Sequence, residues 1–129
     1  MNPLERRGLL AWLFAMVLVL PAAAQTKPPT NWTTKDLKEA VSNAKTPQDH
    51  QRIAQYYDAD ADRLAAEAKD HAELTETYRK SPNLHEQKHP MSPQTAAHCQ
   101  WETDRYTEMA QKQREMAKMH EDMAKWLSQ

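Results

Sequence analysis

Residues 46–80 have the sequence TPQDHQRIAQYYDADADRLAAEAKDHAELTETYRK, and this stretch decides the fold. Thr46 supplies a capping hydroxyl and Pro47 takes the first helical position. Asp49 lies in the first turn, where the helix dipole favours an acid. No helix-breaking residue follows until Ser-Pro-Asn at 81–83. The stretch therefore predicts one uninterrupted helix, which would be about 50 Å long at 1.5 Å per residue.

A second start signal, Ser92-Pro93-Gln94, predicts another long helix from Pro93 nearly to the C-terminus. The residues between the two helices, 81–92, are polar and proline-containing and predict a loop. A connection this short between long helices favours antiparallel neighbours.

The part of the chain that precedes the long helices is predicted to be less regular. Residues 25–32 are polar and proline-containing and predict a flexible lead-in. Thr33 or Thr34 can cap a short helix that runs to about Ala44. Residues 33–129 then form the helical hairpin domain.

The two long helices resemble each other when the first is shifted by 49 residues, which is seven heptads. Positions spaced alternately by four and three form a coiled-coil seam in each, with Tyr, Ala, Ala and His in register. The first seam consists of His50, Ala54, Tyr57, Ala61, Leu64, Ala68, His71, Thr75 and Tyr78. The second consists of Cys99, Thr103, Tyr106, Ala110, Gln113, Ala117, His120, Ala124 and Leu127. Further apolar residues widen this face: Ile53, Leu74, Met109, Met116, Met119, Met123 and Trp126.

These patterns predict an all-α protein, an antiparallel hairpin of two long helices with a short N-terminal helix. Two helices with alanine-rich faces bury little apolar surface. The wide face therefore favours a third element, either the short helix or a second copy that completes a dimeric four-helix bundle. The only glycine, Gly8, precedes this domain, which argues against nucleotide-binding loops and tight β-hairpins.

Residues 1–24 have the three parts of a signal peptide. Arg6 and Arg7 precede the unbroken apolar run Leu9–Leu20, and Ala22–Ala24 provide a cleavage site. The alternative is a retained membrane anchor, but the run has 12 residues whereas a span needs roughly 20. We therefore predict cleavage, a periplasmic or secreted location, and no stable membrane anchor afterwards.

The charge balance bears on the partners of the exported chain. Removing residues 1–24 changes the formal net charge from −1 to −2, because two arginines and one glutamate are lost. Near-neutral balance with mixed signs argues against nucleic acid as a partner. A homodimer or another protein of the cell envelope is the expected partner.

Histidine, methionine and cysteine provide the candidate metal ligands. If the hairpin turns near residue 87, His50 and His120 share its open end, and His71 lies near Cys99 at the other. Imidazole with thioether or thiolate suits copper, and imidazole with thiolate suits zinc. The alternative is that seam histidines set the helix register and methionines fill the core. The candidate ligands are His50, His71, His98, Cys99, His120 and Met123.

Cys99 is the only cysteine, and it allows three interpretations in an oxidising compartment. It is a small buried apolar residue, one half of an inter-chain disulfide, or a ligand or redox group. No arrangement of Ser, His, Cys or Asp matches a catalytic motif, so we predict that the protein is not an enzyme.

The repeated pattern His/Cys-x6-Tyr-x3-Ala-x6-Ala-x2-His resembles small exported helical-hairpin proteins of bacteria for which no activity is established. The resemblance covers roughly residues 46–127 and implies a helical hairpin in an extracytoplasmic setting. The layout is also superficially similar to periplasmic helical-hairpin chaperones and metal-stress proteins. Those proteins carry a Leu-Thr-x-x-Gln motif that this chain lacks, so their activity is not transferred.

The function predicted from the sequence is that of an exported, non-enzymatic helical protein that acts by self-association or by binding another envelope protein. The alternative is a periplasmic protein that binds copper or zinc. Because histidines on a buried seam are disfavoured when charged, we also expect stability to fall between about pH 7 and pH 5.

Overall fold

The computed structural model describes residues 27–82 and 84–129, so the predicted signal peptide 1–24 lies outside the described residues. None of the helices in these two ranges has the length and apolar character needed to cross a membrane. The described elements are a 3-10 turn at Pro29–Asn31 and the α-helices α1 (Thr34–Asn43), α2 (Pro47–Lys80), α3 (Leu84–Lys88) and α4 (Ala96–Leu127).

The predicted start of α2 is confirmed, and its cap is a reciprocal capping box. The Thr46 hydroxyl accepts a hydrogen bond from the backbone N–H of Asp49 at 3.1 Å. In return, the Asp49 carboxylate accepts from the backbone N–H groups of Lys45 and Thr46 at 3.0 and 2.9 Å. Thr33 and Asp36 cap α1 in the same way, as the sequence predicted for Thr33.

The predicted start of α4 is wrong by three residues, because the helix begins at Ala96 rather than Pro93. Gln94 has a φ of 68°, in the left-handed region, and cannot belong to a right-handed helix. Thr95 is therefore the cap, and its hydroxyl accepts from the backbone N–H of His98 at 3.2 Å. Thr95 stands 49 residues after Thr46, so the repeat itself carried the correct start.

The connection between the long helices is also more regular than the predicted loop. Residues Leu84–Lys88 form α3, one and a half turns of helix within the stretch predicted to be irregular. The Glu86 carboxylate accepts a hydrogen bond from the backbone N–H of Ala96 at 3.1 Å. Helix α3 thus provides an acceptor for the first turn of α4, whose own N3 residue, His98, is not an acid.

The long helices pack against each other in antiparallel fashion, as predicted. Residues early in α2 contact residues late in α4, and the order reverses along the pair. His50 meets His120, the Asp60 carboxylate accepts from the Gln113 amide at 2.9 Å, and His71 meets Glu102. We call the end that holds His50 and His120 the open end, and the end nearest α3 the turn end.

The buried residues confirm most of the predicted seam, but the buried strip is narrower than the apolar face that the sequence predicted. The buried seam residues are Ala54, Ala61, Leu64, Ala68, Thr75, Cys99, Ala110, Ala117, His120 and Ala124. Ile53 and Thr95 are the buried residues outside the seam. Leu127, on the predicted seam, is exposed, and so are Leu74, Met109, Met119, Met123 and Trp126 of the wider face. A core built mainly from alanine brings the helices close together and leaves long side chains outside.

Residues 27–32, the described part of the predicted flexible lead-in, lie against α2. The indole of Trp32 stacks on Tyr56 with ring centroids 6.0 Å apart, and Arg52 lies over the same indole. The indole N–H donates to the carbonyl of Lys27, whose ammonium pairs with Asp36 at 2.7 Å. Within the described part of the chain, α1 and the 3-10 turn pack against α2 and not against α4.

Candidate functional site

The open end holds a cluster of three aromatic rings drawn from both helices. The Nδ1 atoms of His50 and His120 are 2.9 Å apart, and the two rings meet edge to edge at 27° with centroids separated by 5.2 Å. Tyr57 stacks on His120, with centroids 5.8 Å apart. The sequence predicted that His50 and His120 share the open end, and the structure goes further by bringing the two rings into direct contact. The contact requires that one Nδ1 donates while the other accepts.

Burial decides the charge state of His120, of which 5% of the residue surface is exposed. Burial lowers the pKa of His120 below its usual 6.5, and the neighbouring His50 lowers that pKa further. Burial likewise raises the pKa of the Tyr57 hydroxyl, which stays protonated. At neutral pH His120 is therefore uncharged.

The turn end pairs its histidines with a carboxylate instead. The Nε2 atom of His71 lies 2.8 Å from one oxygen of Glu102, and the Nε2 atom of His98 lies 3.4 Å from the other. Glu102 thereby links α2 to the first turns of α4. Glu102 was not among the residues predicted for a site, although its position four residues after His98 places it on the same helix face.

His71 is otherwise less well satisfied than the open-end histidines. Its Nδ1 atom is buried and has no hydrogen-bond partner among the described residues. Nearby, Cys99 has a free thiol with 4% of the residue surface exposed. Burial raises the pKa of the Cys99 thiol, and Glu102 adds to that effect, so the reactive thiolate is disfavoured. These facts favour the interpretation of Cys99 as a small buried residue.

The two ends are related by the 49-residue repeat. His71 stacks on Tyr106 with centroids 5.4 Å apart at 20°, and His120 stacks on Tyr57 at 19°. His120 follows His71 by 49 residues, and Tyr106 follows Tyr57 by the same number. The hairpin therefore contains an internal two-fold arrangement of histidine–tyrosine pairs.

The structure sorts the predicted metal ligands into separate places. His50 and His120 lie together at the open end, and His71, His98 and Cys99 lie at the turn end. Met123 lies on the outer surface of α4, where it lines a shallow depression with Met119 and Trp126. Among residues 27–82 and 84–129, no group of three or more His, Cys, Asp or Glu side chains is arranged to hold a metal ion.

A second candidate surface follows α4 along its outer side. It consists of five apolar residues that each stand one position before a seam residue, and Lys112 occupies the position between the first two of them. Met109, Met119, Met123 and Trp126 are exposed, Trp126 to 72%, and Met116 is half-buried. We call these five residues the α4 stripe.

Comparisons with protein families, with curated proteins and with solved structures find no match for this chain. The proposed function is therefore based on the two histidine clusters and the α4 stripe.

Proposed function

We propose that this protein is an exported, non-enzymatic helical protein that works by self-association, with α4 of one copy packing against α4 of a second copy. The observation that carries this proposal is the α4 stripe, an apolar row with the spacing of a helix–helix seam that lies exposed in the single chain. Methionine is well suited to such a surface because its flexible thioether adapts to a partner.

The repeat provides an internal reference for the stripe. The positions of α2 that lie 49 residues before the five stripe residues are Asp60, Glu67, Asp70, Leu74 and Thr77. Four of these residues are polar, so packing within the hairpin does not demand apolar residues at this place in the repeat. The apolar residues of the α4 stripe are therefore not needed for packing within the hairpin. Contact with a partner accounts for them.

The small core also favours association. Ile53 and Leu64 are the largest fully buried apolar side chains, and most of the remaining core is alanine. Small domains with so little buried apolar surface commonly depend on oligomerisation for stability. The sequence predicted that either the short helix or a second copy of the chain covers the wide apolar face. Because α1 and the 3-10 turn pack on α2, we infer that a second copy covers the α4 stripe.

Charge pairing gives partial support to an antiparallel pair of α4 helices. If Met109 of one copy faces Trp126 of the other, Met116 faces Met119 and Lys112 faces Met123, because residue numbers run in opposite directions. The same register brings Lys112 within one position of Asp122 of the other copy, and Lys118 and Lys125 within two positions of Glu115 and Glu108, while the two Lys118 residues come within one position of each other. A parallel pair in register would instead place Glu115 beside Glu115 and Asp122 beside Asp122.

Light scattering coupled to size-exclusion chromatography tests self-association, with protein expressed from the full chain and its leader. We expect a dimer that Met123→Lys converts to a monomer without loss of helical circular dichroism. Leu74→Lys is the matched control, because Leu74 occupies the same repeat position on α2 and is 42% exposed against 38% for Met123. A monomer at every concentration, or equal effects of both variants, would overturn the proposal.

Disulfide trapping in a Cys99→Ala background tests the orientation. Met109→Cys and Trp126→Cys proteins should cross-link to each other when mixed and only weakly to themselves. Efficient self-cross-linking of each variant would instead establish a parallel pair. N-terminal sequencing of the purified protein tests export, since we expect the chain to begin at Gln25.

A further inference from the structure

We propose that His50 and His120 bind one Cu(I) ion between their Nδ1 atoms, in a two-coordinate site at the open end of the hairpin. This inference does not rest on self-association, because α2 and α4 of one chain supply both imidazoles. It gives a specific site and ion to the copper-binding alternative that the sequence left open.

The geometry of the pair is close to that of a two-ligand site. The two nitrogens face each other at 2.9 Å, with only a hydrogen between them. With metal–nitrogen bonds of about 2.0 Å, a linear site needs a nitrogen separation of about 4 Å. The two imidazoles must therefore move apart by about 1 Å in total, and small side-chain rotations supply such a shift.

The hydrogen bond between the two rings already points a lone pair along the line that the ion would occupy. Metal ligands must present a lone pair, and the contact between the Nδ1 atoms requires that one of them accepts. When Cu(I) enters, the imidazole that carried its hydrogen on Nδ1 loses it there and takes up a proton on Nε2. Both Nδ1 lone pairs then bind the ion, and no net proton is released. No oxidation or reduction is involved.

The surroundings also favour a single positive charge. Tyr57 covers one face of His120, and its hydroxyl is uncharged. Asp49 precedes His50 in the chain, and its carboxylate accepts hydrogen bonds from the backbone N–H groups of Lys45 and Thr46. This carboxylate caps α2 and supplies a negative charge close to the imidazole of His50.

The number of ligands selects the metal. Structural zinc sites use four ligands. Among the described residues, no three His, Cys, Asp or Glu side chains are arranged to hold a metal ion at either end. Cu(I) has a filled d shell, binds imidazole, and is stable with two nitrogen ligands in a line. A pair of facing imidazoles with a tyrosine ring against one of them therefore fits Cu(I) better than Zn(II).

The turn end provides the internal contrast. His71 occupies the same place in the repeat as His120 and also stacks on a tyrosine. Its Nε2 atom faces the Glu102 carboxylate rather than a second imidazole, so the two-nitrogen arrangement is missing there. His71→Ala is therefore the matched control for His120→Ala.

Anaerobic titration with Cu(I), in competition with the chromophoric chelator bicinchoninate, tests the proposal on the purified full-chain protein. We expect one ion per chain with a dissociation constant below micromolar. Loss of a supporting outer-shell group costs up to about 100-fold in metal affinity, so loss of a ligand should cost about 100-fold or more. We expect that loss in His50→Ala and His120→Ala but not in His71→Ala.

His120→Ala alters a buried position and can prevent folding, so a second variant is needed. His50 is half-buried, and His50→Gln removes the ligand while it preserves size and polarity. X-ray absorption at the copper edge should show a near-linear Cu(I) site with nitrogen neighbours and no sulfur. Micromolar or weaker binding, sulfur neighbours, unchanged affinity in His50→Gln, or tighter binding of Zn(II) at these histidines would each overturn the assignment.

Discussion

The open end and the turn end of the hairpin hold the same histidine–tyrosine pair in different settings. At the open end, His120 packs on Tyr57 and faces another imidazole; at the turn end, His71 packs on Tyr106 and faces a carboxylate. The repeat keeps the ring stack in both places, while the third partner differs. One scaffold thus supports a neutral nitrogen pair and a hydrogen-bonded carboxylate cluster.

The residue just before the seam shows how each end is built. Ile53 at the open end is fully buried, and its equivalent 49 residues later is Glu102, whose side chain is about a quarter exposed. The open end therefore depends on apolar packing around its histidines. The turn end replaces that packing with hydrogen bonds across the helices.

The largest expected effect follows from this difference. Ile53→Ala should lower the free energy of unfolding by about 2–4 kcal/mol, because it leaves a cavity in a fully buried position. Glu102→Ala should cost about 1 kcal/mol, the usual value of a lost hydrogen bond. Urea unfolding at one fixed protein concentration measures both. Equal losses in the two variants would show that the ends are stabilised alike.

The two helix caps sharpen the comparison, since Thr46 and Thr95 are equivalent in the repeat. Thr46→Ala should cost about 1 kcal/mol, a typical value for an exposed N-cap. Thr95→Ala should cost about 2–3 kcal/mol, because the buried Thr95 hydroxyl also donates towards the carbonyls of Pro90 and Ser92. Thermal unfolding compares them, with Thr46→Ser and Thr95→Ser as controls that keep the hydroxyl.

The histidine settings predict a dependence on pH. The folded protein lowers the pKa of His120 below the unfolded value of 6.5, so the unfolded chain binds this proton more readily. His120 therefore stabilises the fold above pH 6.5, and stability is lost as the pH falls through its lowered pKa. Melting temperatures between pH 7.5 and 5 measure the loss.

The matched variants for this measurement are His120→Gln and His71→Gln. The drop on acidification should shrink in His120→Gln, which removes the titrating ring while keeping a polar side chain beside His50. His71→Gln should retain the drop. If acidification destabilises both variants as much as the parent protein, the lowered pKa of His120 is not its cause.

The smallest effect on stability is expected from a substitution in the middle of the hairpin, between the open end and the turn end. Arg114 and Asp62 form an ion pair at 2.8 Å across the helices, but both side chains are more than half exposed. Asp62→Ala should therefore change the free energy of unfolding by less than about 0.5 kcal/mol, with or without added salt. Chemical unfolding at low and high ionic strength checks this, and a loss above 1 kcal/mol would mean that the middle of the hairpin matters as much as its ends.

The sequence predicted the long helices and their pairing because their signals are local. The Thr46 capping box, the glycine-free helices and the heptad spacing together determine α2, the antiparallel partner and the meeting of His50 with His120. The start of α4 was missed because Ser92-Pro93 resembles a helix start, whereas the left-handed backbone of Gln94 depends on the whole turn. Glu102 was missed because an acid beside the seam usually faces solvent.

The exposure of the α4 stripe was the hardest feature to predict. Apolar residues beside a seam suggest a wider core, but the small alanines let α2 and α4 approach until their outer neighbours no longer fit between them. The position of Trp32 on Tyr56 depends likewise on contacts between distant segments, which periodicity does not reveal.

The unbroken length of α2 has a consequence for communication along the molecule. His50 and His71 are 21 residues apart on one continuous helix, which corresponds to about 31 Å along its axis. Mobile ions screen charge over about 8 Å at physiological ionic strength. The charge of a proton or metal ion bound at one end is therefore screened before it reaches the other end. The histidines at the two ends of the hairpin should titrate and bind ligands independently of each other.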